Sequence, residues 1–356
     1  MISPFYEYEV AHGAKMIDFH GWQLPLHYGS ALAEHRAVRQ GVGLFDVSHM
    51  GHVEIKGADA TRFLDYLVTN EIASIPSGKA IYTLFCSEEG TCIEDALLFK
   101  RKTDHYSIIV NGVNRHKMKC HLEEHSTGWR VEVLPHYSGE AILALQGAHA
   151  LESLSHYIPQ AATLQPMAFM EIASASAPLI VARTGYTGEL GFELIGPQEP
   201  VKELWHQLLA HPEVQLCGLA ARDSLRLEAG YALYGHELSA QLYGCETVSS
   251  WTIRWDKPSF LGKEQLLRRR TSSCCRHPCA IKLCEEAIPR AGALLEREGT
   301  TLGQVTSGGF SPMLECGIAV GLASSKLERG TTLHLVQRGR RFLAQVSRLP
   351  FYSTHL

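Results

Sequence analysis

Hydrophobic and polar positions repeat at two different periods along this chain, and the change from one to the other marks out its elements. GHVEIKG sets Val53 and Ile55 against polar neighbours at a spacing of two, which predicts a strand. The GADATRFLDYLV that follows puts Phe63, Leu64, Leu67 and Val68 at helical spacing behind Asp59, a residue suited to starting a helix. AIYTLFC (80–86) and TCIEDALLF (91–99) are β-rich runs separated by SEEG, whose Gly90 suits a hairpin loop. HYSIIVN (105–111) and WRVEVLP (129–135) add strands around a helical NRHKMKCHLEEH, so residues 53–135 read as an α+β module.

Beyond it, GEAILALQG (139–147) predicts a strand, AHALESLSHYI a helix, and LIVARTGYTGELGFELIG (179–196) two strands around a turn punctuated by Gly185, Gly188 and Gly191. QEPVKELWHQLLAH (198–211) and LAARDSLRLEAG (219–230) carry helical stripes, the second stopping at Gly230. KEQLLRRRTSSCCRHP (263–278) is polar enough to serve as a linker. From about 277 short strands alternate with glycines, the signature of a small all-β barrel.

The chain has 356 residues, enough for two or three domains, and a net charge of −4 that gives no basic field for nucleic acid or an anionic membrane. No apolar run reaches the roughly 20 residues of a membrane span. Ten cysteines are too few for a disulfide scaffold of this length, and the N-terminus MISPFYEYEVAHGAK lacks the basic and apolar regions of a signal peptide. A reducing, cytoplasmic compartment is expected.

Among chemistry-bearing residues, Glu94 and Asp95 stand out. Neighbours on a strand point to opposite faces, so only one of the two is expected to look into a given pocket, and both faces of this run are largely apolar. A carboxylate there must be paired, neutral or turned to a polar ligand; a salt bridge or an exposed strand end accounts for the pattern equally well. Arg222 and Arg226 lie one helical turn apart, with Asp223 placed for a local ion pair, as on any solvated helix face. Arg222 at the first turn also suits a carboxylate ligand. His277, Cys274, Cys275, Cys279 and Cys284 lack the paired spacing of a zinc knuckle, so no metal is expected. His49 and His236 read as packed histidines, and no nucleotide-binding glycine loop or nucleophile elbow is present.

Five strings in order, GAKMIDFHGWQLPLHY (13–28), GLFDVSHMG (43–51), RTGYTGELGFE (183–193), GLAARDSLRLEAGYALYGHEL (218–238) and GQVTSGGFSP (303–312), give the chain a close resemblance to the folate-dependent aminomethyltransferase family, the T proteins of the glycine cleavage system. The resemblance covers nearly the whole chain. It implies a three-domain α+β cloverleaf around a central folate-binding hole: a discontinuous α+β domain (1–52 plus 137–262), an inserted α+β domain (53–136) and a C-terminal β-barrel (277–356). It implies transfer of the one-carbon unit from an aminomethyl-lipoyl arm of H protein to tetrahydrofolate, with release of ammonia and formation of 5,10-methylenetetrahydrofolate. Lipoylated H protein is the implied partner, with functional coupling to glycine decarboxylase and dihydrolipoyl dehydrogenase.

By the same resemblance the essential aspartate falls on Asp95, as base or electrostatic anchor beside the folate amine. Glu193 falls on the pterin-binding glutamate, suited to two parallel hydrogen bonds, with Glu189 the weaker candidate. Arg222 is a ligand-binding arginine for either the folate tail or the pterin region. Tyr82, Asn111 and Met50 line the pocket, Tyr234 and Trp251 add walls, and Arg290 is a basic position near the folate tail. Three departures are visible: Glu94-Asp95 replaces a usual Asp-Asp, His20 replaces an alanine, and the ending PFYSTHL puts Leu356 where the family has a tyrosine. A tetrahydrofolate-dependent demethylase and a noncatalytic folate-binding accessory protein are the alternatives. The iron–sulfur accessory signature Lys-Gly-Cys-Tyr-x-Gly-Gln-Glu is not in the sequence.

Overall fold

The computed structural model describes residues 1–174 and 177–353. Two large sheets, a two-stranded ribbon of Lys15–Phe19 and Trp22–His27, and a barrel organise the chain. The first sheet has six strands in the order Phe169–Ile172, Leu179–Ala182, Gly191–Pro197, Glu140–Gln146, Val42–Asp46, Val214–Leu216, antiparallel except for its last pair. The second has five antiparallel strands in the order Lys79–Cys86, Cys92–Lys102, His105–Val110, Gly51–Lys56, Glu132–Pro135. Six strands between His277 and Ser347 close into a barrel. The expected α+β class with a C-terminal barrel is the one adopted.

Each sheet buries one face under its own helices. Phe63, Leu64 and Leu67 of the helix Ala60–Leu67 pack with Val53, Ile55, Leu98 and Ile108 of the five-stranded sheet. Val201, Trp205 and Leu208 of the helix Gln198–Ala210 pack with Leu143, Leu145, Phe192 and Leu194 of the six-stranded one. The other faces meet each other. Phe45, Ile142, Ile180 and Ile195 from one sheet join Ala80, Phe99 and Ile109 from the other in a shared core, to which the helix Leu219–Ala229 adds Ala221 and Leu225. Because side chains on a strand alternate, this core fixes what lies at its rim. Asp95 shares a face with Leu97 and Phe99, and Glu193 shares one with Ile195, so both carboxylates extend the surfaces along which the sheets meet.

The segment 263–278 is not the open linker its polarity suggests. Lys263–Thr271 is a helix. Its Leu266 is fully buried against the Gly90 turn, and Glu246, itself fully buried, accepts from Arg269 and Arg276 at 2.6 and 2.8 Å. One apolar anchor and two charge pairs hold down a sequence that shows no amphipathic stripe.

Gly230 ends the helix Leu219–Ala229 in the left-handed region at φ 76°, as its position predicts. In RTGYTGELGFE only Gly188 needs that freedom, at φ 79°. Gly185 and Gly191 serve a different need: a Cβ on either would fall within 2.2 Å of the Gln146 side chain, which they clasp.

Candidate active site

Asp95 sits mid-strand in Cys92–Lys102. The directly opposite residue on the neighbouring strand is Leu84, and Tyr82 lies on the same face one pair further along. From there the Tyr82 hydroxyl donates to Asp95 Oδ2 at 2.8 Å and meets Ser249 Oγ at 2.9 Å. Asn111 follows the third strand and donates from Nδ2 to Asp95 Oδ1 at 2.8 Å.

The same Asn111 amide also donates to Glu94 Oε1, and Glu94 Oε1 accepts the Asp95 backbone N–H at 3.0 Å. The two acids therefore converge on one amide instead of parting to opposite faces. Glu94 has one methylene more than Asp95 and leaves the strand's far face to fold back along the backbone. It is fully buried, and among the described residues its Oε2 has no hydrogen-bond partner and its carboxylate no ion pair. Burial raises the pKa of both acids; the neighbouring Asp95 charge pushes Glu94 up further against the lowering effect of Asn111 and Asn114, whereas Tyr82 and Asn111 hold Asp95 down. The arrangement favours a proton on Glu94 and a charge on Asp95. Burial and the Asp95 charge also drive the Tyr82 phenol well up, so it stays a donor.

A second cluster comes from the six-stranded sheet and its helix. Thr184 donates to Glu193 Oε2 at 2.5 Å. Arg222, in the first turn of Leu219–Ala229, lies over the Tyr186 ring at 4.6 Å, and its buried Nη1 has no partner among the described residues. Burial lowers its pKa, against the opposing pull of Tyr186 and Glu193. Burial raises the Tyr186 phenol, Asp95 adds to the rise and Arg226 and Arg222 oppose it, so this ring lies within electrostatic reach of both clusters. Arg226 is not on a solvated face: it makes the expected pair with Asp223 at 2.8 Å, but it is 2% exposed and also binds Glu237 and Ser307.

Trp251 is 69% exposed and stacks on Tyr82 with centroids 5.8 Å apart, an open aromatic wall beside Asp95. Tyr234 accepts from Lys117 at 2.7 Å and reaches the Cys92 carbonyl at 3.5 Å, three residues from Asp95. Met50 is half-buried against the shared core. Arg290 stands apart on the barrel, exposed, its backbone N–H bonded to Gln337 at 2.7 Å. Glu189 is committed elsewhere, paired with buried Arg39 at 2.8 Å. His49 is buried, and its pKa falls to about 3, chiefly through desolvation. The substitution at Leu356 lies outside the described residues. Of the cysteines weighed as metal ligands, Cys274 and Cys284 are exposed while Cys275 and Cys279 are buried.

Ser249, Tyr186 and Thr184 are the participants that sequence reasoning passed over. Thr184 and Tyr186 alternate with the glycines of RTGYTGELGFE, a visible signal; Ser249 lies in a loop with no periodicity.

Comparison with known proteins gives this arrangement its class. Residues 5–257 match the GCVT N-terminal domain and residues 276–353 the glycine cleavage T-protein C-terminal barrel domain. Aminomethyltransferases from Thermotoga petrophila and Halothermothrix orenii are 38% and 36% identical, each covering 98% of this chain and 97% and 99% of their own. The crystal structure of glycine cleavage system aminomethyltransferase T from Bartonella henselae superimposes with a TM-score of 0.92 at 31% identity, over 99% of this chain and 98% of that one. Fold and relatives define a transferase of the aminomethyl class. The chain belongs to the glycine cleavage T-protein family.

Proposed function

We propose that this aminomethyltransferase takes the aminomethyl group carried on the lipoyl arm of H protein, releases ammonia and delivers the one-carbon unit to tetrahydrofolate as 5,10-methylenetetrahydrofolate. The observation that carries the reading is Asp95, a carboxylate held by Tyr82 and Asn111 on the surface where the two sheets meet, beside an exposed tryptophan. Two further features suit a reduced folate: the Glu193 carboxylate matches the paired donors of a pterin edge, and the buried Nη1 of half-buried Arg222, without a hydrogen-bond partner among the described residues, calls for an acceptor.

Tetrahydrofolate supplies the nucleophilic amine. The chain's own groups do the rest. Tyr82 and Asn111 fix both Asp95 oxygens, so the carboxylate orients that amine and balances positive charge on the reacting carbon without moving. Glu94, holding a proton, spares Asp95 a second negative charge alongside it. Trp251 and Tyr82 form an aromatic wall, Met50 and Tyr234 complete the lining, and Arg290 meets the anionic end of the folate tail from the barrel. No metal enters this scheme. The partners are lipoylated H protein and, through it, glycine decarboxylase and dihydrolipoyl dehydrogenase; the compartment is cytoplasmic, in keeping with ten free cysteines. None of the helices among the described residues is long and apolar enough to cross a membrane.

The test is a reconstituted assay with lipoylated H protein, glycine decarboxylase, glycine and tetrahydrofolate, following ammonia and methylenetetrahydrofolate together. Equal, folate-dependent formation of both supports the reading. Tetrahydrofolate binding with no turnover makes the chain a folate-binding accessory protein instead.

A further inference from the structure

At the junction of the two sheets, on the side of Trp22, lies a cavity of about 300 Å³. Of the folate-site residues only Met50 lines it. Its walls hold two polar side chains with unmet capacity. Arg115 is 9% exposed and packs between the rings of Trp22 and Tyr137, at 5.2 and 4.5 Å. Its Nη2 donates to the Tyr137 carbonyl at 2.6 Å, and no carboxylate among the described residues pairs with it. The placement is built in: a Cβ at Gly51 would come within 2.8 Å of Arg115 Cγ and 3.1 Å of the Tyr137 ring. A guanidinium this deep without a counter-charge is costly unless an anion completes it.

His52, 3% exposed, is the second. Its Nδ1 lies 2.7 Å from Glu140 Oε2, and its buried Nε2 has no partner. A carboxylate accepting the Nδ1 hydrogen leaves a lone pair on Nε2, which wants a donor. His136 stacks on His52 at 5.0 Å and, with Glu140, also faces the cavity. One rim therefore asks for a carboxylate and another for a hydrogen-bond donor of positive charge, while Trp22, Met50 and Ile142 offer apolar surface between.

We propose that this cavity binds an α-amino acid with an apolar side chain, its carboxylate on Arg115, its ammonium on His52 Nε2 and Glu140, and its side chain against Trp22, Met50 and Ile142. The site shares Met50 with the proposed folate lining and uses none of Asp95, Tyr82 and Asn111.

Calorimetric titration of the full chain with three molecules of matched shape tests it: L-leucine, 4-methylpentanoate, which lacks the ammonium, and 3-methylbutylamine, which lacks the carboxylate. L-leucine should bind at least about tenfold more tightly than either. Arg115→Met should weaken L-leucine by at least a similar factor, and His52→Phe should narrow the gap in affinity between L-leucine and 4-methylpentanoate, Glu140 still facing the ammonium. The unmodified chain alone suffices to overturn the proposal, whatever the variants do to folding: absence of binding by L-leucine, or equal binding of L-leucine and 4-methylpentanoate, refutes it. Unchanged L-leucine affinity in a folded Arg115→Met chain does so too.

Discussion

Tyr82 donates to Asp95 across the diagonal of a β-hairpin, 2.8 Å from phenol to carboxylate, so the geometry of the central acid is set by strand register and not by a loop. Asp95→Asn preserves the shape of that contact and removes the charge. Turnover in the reconstituted assay should drop by about 10²–10⁴-fold with the fold intact and tetrahydrofolate affinity little changed. Activity near that of the unmodified chain would take Asp95 out of the chemistry.

Glu193 presents a carboxylate held on one side by Thr184. If it grips the pterin, Glu193→Ala loses charge-assisted hydrogen bonds of about 1.5–3 kcal/mol, which is a weakening of about 10–100-fold in the tetrahydrofolate dissociation constant. Fluorescence titration reads this directly, Trp251 being beside the site. An unchanged constant contradicts the assignment.

Glu94 links the site to stability. Its pKa is raised in the folded chain, so the folded state holds the proton more tightly than the unfolded one does. That contribution is complete below the ordinary carboxylate range and is lost as pH climbs through the raised value. Melting temperature should accordingly fall between about pH 5 and about pH 9, and Glu94→Gln, which cannot ionise, should flatten the slope. An equally steep slope in the variant would mean that other groups cause it.

Glu246 is the buried acid that pins the helix Lys263–Thr271 through Arg269 and Arg276. Glu246→Ala strands two arginines that are partly exposed and can rehydrate, so the expected loss is about 3 kcal/mol, at the low end for breaking a buried pair. Urea denaturation measures it. A loss within about 0.5 kcal/mol would show that Leu266 alone anchors the segment.

Most of the scaffold was legible because one face of each element is apolar: the Phe63, Leu64 and Leu67 stripe, the hairpin around Gly90 and the stop at Gly230 all follow from periodicity and turn chemistry. The Lys263–Thr271 helix was hidden because a single leucine and two distant charge pairs hold it, and neither leaves a period. The site was legible in part. Asp95, Tyr82 and Asn111 share one hydrogen-bonded cluster, and Arg222 lies over the Tyr186 ring within electrostatic reach of Glu193. What strand alternation misjudged was Glu94: the rule fixes where a Cβ points, and a glutamate has enough bonds beyond it to turn back toward Asn111.

The helix Leu219–Ala229 holds Arg222 in its first turn and Glu228 in its last, and Glu228 is grasped by His35, Arg39 and, from the barrel, Ser311. The helix is fastened along its length, by Ala221 and Leu225 in the shared core and by Arg226 on Ser307 of the barrel. Arg222 and the barrel contacts are thus carried on one helix, so the seating of the C-terminal module bears on where that guanidinium points.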